Sequence, residues 1–211
     1  MKKITLALSL VLSFQLHAFE ETEMVTEAEN IYVVDNQWEW SISVNQTNFD
    51  NSVGLYGIED SALGFSVDVD YIKSHWITTL SASYLAYDDN WEFSQEVVGK
   101  GFGNRGDRSN ETSDASGVLL GAAIGRIHFF GEASDVAIYG QLGADFMVYS
   151  ERSIGFCDDC YSEDIDVDGG VFLKVGAVKD TDILNIGFHA KTYLSGDSID
   201  TVFGISVGST Y

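Results

Sequence analysis

Thr201-Val202-Phe203-Gly204-Ile205-Ser206-Val207-Gly208-Ser209-Thr210-Tyr211 is the stretch that decides the fold. Phe203, Ile205, Val207 and Tyr211 are large and apolar; Gly204, Ser206, Gly208 and Thr210 are small or polar. A repeat of two puts alternate side chains on opposite faces of a strand, so one face is greasy and the other small. With its terminal aromatic, this is the pattern of the closing strand of a transmembrane β-barrel.

The same alternation runs back through the chain. A first strand over 37–45 sets Trp38, Trp40, Ile42 and Val44 against Glu39, Ser41, Ser43 and Asn45. A second over 62–72 sets Leu63, Phe65, Val67, Val69 and Tyr71 against Gly64, Ser66, Asp68 and Asp70. Lys73-Ser74 turns tightly into a third over 75–87. A fourth over 115–130 has Gly117, Gly121, Ala123 and Gly125 on its small face, which puts Arg126 outside near one rim; a bulge would reverse that phase and carry His128 with it. A fifth (135–149), a sixth reaching Val178, a seventh around Leu184 to Lys191 and the closing strand complete eight. Polar loops over 46–60, 88–114 and 150–163 are long, and the turns at the other end are short. The expected fold is all-β, an eight-stranded antiparallel up-and-down transmembrane β-barrel over 37–211. An even strand number lets the sheet close and lose its edges.

The faces sort as a membrane requires. Apart from Arg126, no charge falls on the greasy face, where a Lys or Arg at mid-bilayer would cost ~2–4 kcal/mol. Glu39, Asp68, Asp70, Asp145, Lys174, His189 and Lys191 fall on the small face and form an expected lumen charge network. Within it, Asp145–Lys174 is the expected pair. Trp38, Trp40, Tyr71, Trp76 and Tyr211 share the short-turn end of the greasy face as an aromatic girdle.

The N-terminus and composition agree. Met1-Lys2-Lys3, the apolar run Ile4 to Leu16 and His17-Ala18 have the three regions of a secretory signal over 1–18. Acidic residues 19–36 then read as a periplasmic leader. Of 11 Lys+Arg and 33 Asp+Glu, removal of Lys2 and Lys3 leaves 9 against 33, a net charge of 9 − 33 = −24. Such a surface repels nucleic acid and suits divalent cations or a basic partner. Proline is absent and glycine numbers 21, which suits a sheet that needs every ladder N–H.

The whole region from Gln37 onward resembles the small eight-stranded outer-membrane barrels of the OmpA/OmpX type, and the terminal aromatic resembles the C-terminal signature of bacterial outer-membrane proteins. The resemblance is architectural, and no residue motif ties it to one subfamily. It implies the cell outer membrane of a Gram-negative cell, with lipid and lipopolysaccharide as neighbours. Structural, adhesive and lipid-modifying roles all occur in such families.

Other motifs weigh less. Gly204-Ile205-Ser206-Val207-Gly208 fits a nucleophile elbow, but that elbow needs a strand-to-helix turn. Gly101-Phe102-Gly103-Asn104-Arg105-Gly106 lacks the βαβ unit of a dinucleotide site, and Arg105-Gly106-Asp107 and Gly196-Asp197-Ser198-Ile199 are too short to carry a function. Asp164-Ile165-Asp166-Val167-Asp168-Gly169 opens like a calcium loop, so Asp164, Asp166 and Asp168 are candidate ligands for Ca²⁺ or Mg²⁺. Val175 stands where the bidentate Glu should be, and the alternation also reads as a strand with Ile165 and Val167 in phase with Val171 and the acids facing inward. Cys157 and Cys160 are expected as a disulfide at the loop tip. His128 lacks a nearby Ser/acid set. The leading reading is a monomeric, non-enzymatic barrel, structural or adhesive, with acidic extracellular loops and no resident cofactor; a narrow, porin-like channel and a lipid-modifying enzyme are the alternatives.

Overall fold

The computed structural model describes residues 34–98, 108–130, 135–155, 160–181 and 183–210. The signal segment 1–18, most of the leader, Cys157, the 101–107 motifs and Tyr211 lie outside the described residues. Eight strands close the barrel: β1 Val34–Phe49, β2 Ile58–Ser74, β3 Trp76–Asp89, β4 Asp114–Phe130, β5 Val136–Ser153, β6 Val171–Asp180, β7 Asn185–Tyr193 and β8 Ile199–Thr210. Each pairs antiparallel with the next, and β8 returns to β1 with Ile42 opposite Val207. Every strand therefore has two hydrogen-bonded neighbours, the condition for irregular-edge-free sheet in lipid.

The outer wall is apolar all round. One residue from each strand (Ile42, Phe65, Leu80, Ile124, Leu142, Val175, Phe188, Ile205) is between 48% and 63% exposed. Inside, Ser43, Ser66, Asp68, Thr79, Gln141, Asp145, Lys174, His189 and Lys191 are buried. A buried polar belt inside a wall that is apolar outside inverts a water-soluble sandwich and matches a membrane barrel.

β1 begins inside the stretch expected as leader, and β1 to β5 are 14–18 residues long against the ~9–11 a tilted membrane strand needs. The surplus carries a wall above the membrane at the long-loop end. The first loop folds as a 3-10 turn, Asn51–Tyr56, closed by Gly57 at φ 75°. The second is built rather than open: Ser94–Val98 and Arg108–Thr112 pair as a ribbon. In the third, Ser162–Asp164 pairs back on Glu151–Ser153.

The phase of β4 is settled by its pairing. Leu119, Ala123 and Ile127 are buried, and Arg126 and His128 lie on the outer wall. The bulge lies higher up, where Val118 faces Tyr149 and Leu119 faces Met147, so Val148 is the extra residue and the membrane part of β4 keeps its phase.

The lumen is filled in three layers. At the short-turn end Ile72, Ile77, Ile127 and Ala137 pack with Phe129 and Tyr139. At the long-loop end a larger cluster includes Phe49, Val53, Tyr87, Leu119, Ile165, Val167 and Val202. The polar belt lies between. Glycine makes room for the large inward side chains: a Cβ on Gly176 would strike the Tyr139 ring that faces it across β5 and β6, and one on Gly121 would strike the Asp145 carboxylate.

Candidate functional site

The lumen was the first candidate, because a channel would run there. Lys174 Nζ donates to Asp68 Oδ2 at 2.8 Å across the interior, and Lys191 Nζ lies 3.2 Å from Asp145 Oδ2. Tyr193 donates to the same Asp145 carboxylate, and Thr79 to Asp70. Gln141 Nε2 reaches Thr79 at 2.6 Å, and Gln37 Nε2 reaches Glu39 at 2.6 Å. His189 is buried beside Gly204, where a Cβ would meet its ring.

The expected Asp145–Lys174 pair does not form. The turn between β6 and β7 uses Thr181 and Leu184, so Lys174 faces Lys191 rather than Gly187. Asp145 also lies two residues away from the expected position, because Gly143 faces Phe172. Two like charges side by side repel, and each lysine therefore takes its own carboxylate, one from β2 and one from β5.

The second candidate is the crown of loops. Arg152, 1% exposed, is its centre. Its guanidinium donates to Asp89 at 2.5 and 2.7 Å, to Glu163 at 2.9 Å and to the Tyr56 carbonyl at 2.7 Å. Trp91 stacks over it, with Arg152 Cζ 5.7 Å from the ring. One side chain thus ties together all three long loops. Hydrogen bonding to Asp89 pushes the guanidinium further up from its ordinary value. Burial alone would raise Asp89, but hydrogen bonds from Arg152 and the Trp91 backbone, with the Arg152 charge, hold its carboxyl below the ordinary value. Arg152 was not among the residues singled out from the sequence; its isolation among Glu151, Glu163 and Asp164 was the available signal of a buried hub.

Asp164, Asp166 and Asp168 are exposed, while Ile165 and Val167 are buried in the mouth of the lumen. The inward-facing acids expected here are therefore corrected. Gly169 and Gly170 press against Asp145 and Ser195 backbone, and across them the inward set slips from odd residues to Phe172 and Lys174. Asp166 accepts from Tyr56 at 3.1 Å, a bond that pushes the Tyr56 hydroxyl up. Among the described residues no three His, Cys, Asp or Glu side chains are grouped to hold a metal. Cys160 is disulfide-bonded.

At the short-turn end Trp38 and Trp76 are exposed, Trp38 packs on Tyr71 with centroids 4.8 Å apart, and Arg126 Cζ sits 4.1 Å over the Trp76 ring. His128 stacks on Phe130 at 4.5 Å. Ser206 lies within β8, far from any elbow turn.

No protein-family model matches the chain, and no curated protein matches it. Among solved structures it is similar to Ail, the attachment invasion locus protein of Yersinia pestis, in complex with the heparin analogue sucrose octasulfate: TM-score 0.51 at 14% identity, over 84% of this chain and 100% of that one. Neisserial surface protein A also matches, with TM-score 0.46 at 11% identity over 85% and 97%. With closure, strand count and inverted faces established, the chain is in fold a small eight-stranded β-barrel of the outer-membrane kind.

Proposed function

We propose that the chain, exported by residues 1–18, sits in the outer membrane and acts through its long-loop end as a non-enzymatic binder of basic surfaces. The observation that carries this reading is the charge of that end. Glu59, Asp60, Asp88, Glu92, Glu96, Glu111, Asp164, Asp166, Asp168 and Asp197 are exposed there; among the described residues of that end the exposed cation is Arg108, 3.6 Å from Glu96. Leu55, Trp91 and Tyr161 are exposed among these carboxylates. Aromatic anchors within a charged rim are the usual make-up of a binding surface. Phe93 stacks edge-on against Tyr161 at 4.7 Å and Arg152 backs Trp91, so the anchors are held before a partner arrives.

The carboxylates would repel a sulfated polyanion of the kind seen on Ail, so the occupant proposed is cationic. Divalent cations bridging to lipopolysaccharide phosphates are a second, more diffuse use of the same charge. The Cys157–Cys160 disulfide is proposed to pin the third loop beside this surface.

The test uses protein inserted in lipid vesicles. A polylysine probe should bind, with affinity falling steeply as salt rises, and a heparin-type polyanion should not. Salt-insensitive binding, or preference for the polyanion, would overturn the reading. Insertion itself is checked by the mobility shift of a folded barrel on boiling; recovery as a soluble periplasmic monomer without a shift would contradict it.

A further inference from the structure

We propose that the outer wall at the short-turn end holds the phosphodiester headgroup of an anionic phospholipid, on Lys73, Ser74, Trp76 and Arg126. The proposal rests on the membrane reading above, with the short turns facing the periplasm. Lys73 of β2 pairs opposite Trp76 of β3, and Trp76 opposite Arg126 of β4. Directly paired residues project from the same face of a sheet, and all three are exposed. They form one row across the wall, two cations flanking an indole, about 10 Å apart at the backbone given strands ~4.8 Å apart.

The geometry suits a phosphate. Arg126 Cζ sits 4.1 Å over the centre of the indole ring, a cation–π contact that a guanidinium can make while its N–H groups still donate in pairs to a phosphate. Among residues whose side chains are described, Arg152, Lys174 and Lys191 each pair with a carboxylate, whereas Lys73 and Arg126 form no such ion pair. Cations on a lipid-facing wall need a counter-charge from the membrane, and at this height that is the headgroup layer. A recess of about 290 Å³ opens here, lined by Tyr71, Lys73, Ser74, Trp76 and Thr78. Toward the membrane centre the next rows are Tyr71, Thr78 and Ile124, then Val69, Leu80 and Ala122, a track for an acyl chain. A zwitterionic lipid would bring its own ammonium beside two cations. A lipid of the phosphatidylglycerol type brings none.

The full-length protein, refolded free of lipid in detergent, is mixed with phosphatidylglycerol or phosphatidylcholine and examined by native mass spectrometry. One phosphatidylglycerol should remain bound per barrel, and phosphatidylcholine should not. Lys73→Gln with Arg126→Gln should weaken retention about tenfold or more, as expected for loss of charge-assisted contacts to one phosphate. Lys179→Gln, exposed on β6 at the same rim, should leave it unchanged. A heat-shift gel on each sample reports whether the barrel is folded, so failure of the membrane reading is seen there and separately. Equal retention of the two lipids, or of phosphatidylglycerol by the double variant, would overturn the proposal. Full displacement by glycerol phosphate alone would also overturn it, by assigning the site to a free phosphate.

Discussion

Lys174 and Arg152 are both buried cations, and they do opposite jobs. Lys174 sits in the belt between two apolar plugs and reaches across the lumen to Asp68, so its pair links β6 to β2 through the middle of the barrel. Arg152 sits above the membrane part of the wall and ties Tyr56, Asp89 and Glu163 from three loops. The lumen pair joins two strands across the interior; the crown pair joins the three loops that carry the proposed binding surface. The two sets of ion pairs thus lie in separate layers.

The largest effect should come from the lumen. Lys174→Met leaves Asp68 buried without a partner, which costs ~3–5 kcal/mol when such pairs are broken. Denaturant unfolding in vesicles should show this loss, and adding Asp68→Leu should recover most of it. A single variant as stable as the parent would remove the pair from the account.

Arg152→Met should cost ~1–3 kcal/mol, confined to local opening of the loops. Limited proteolysis should then cut near 50–60 and 88–98, while the unfolding midpoint of the barrel changes little. Global unfolding with no added loop cleavage would show that the two regions are one cooperative unit.

How far the sequence disclosed this contrast follows from the physics of each region. Strand period is local, so the greasy and small faces, the eight strands and the inward position of Lys174 could all be read directly. Its partner could not, since a shift in the Thr181–Leu184 turn moves Lys174 from Gly187 to Lys191 without altering any face. The crown was less legible still. Its contacts join residues 63 and 96 positions apart, and no repeat in a loop announces them. At Gly169-Gly170 the period itself breaks, which is why the acids at 164–168 were placed on the wrong side.

pH should separate the regions again. Asp89 is held below its ordinary value of 3.8 in the folded crown. A depressed carboxyl stabilises the folded form above the unfolded value, and that contribution is lost as pH falls through the folded one. The crown should be intact at neutral pH and open progressively below about pH 4. Hydrogen exchange at Tyr56 and Trp91 reads this, and Arg152→Met should abolish the pH dependence. An unchanged acid response in that variant would assign it to other carboxylates.

Smallest should be the effect of divalent cations. Millimolar Ca²⁺ or Mg²⁺ should raise the melting temperature slightly by screening exposed acids, and Asp164, Asp166 and Asp168 changed together to Asn should reduce the rise. The same melting with and without cation in the parent would remove the cation reading.

The central claim, a sealed barrel that works through its outer surfaces, is tested most directly by conductance. Purified protein inserted in planar bilayers should show no steady unitary current, and Lys174→Met should show none either, because Phe172, Tyr139 and the two apolar plugs still block the axis. Steady, ion-selective conductance from the unaltered protein would make it a channel and contradict the account.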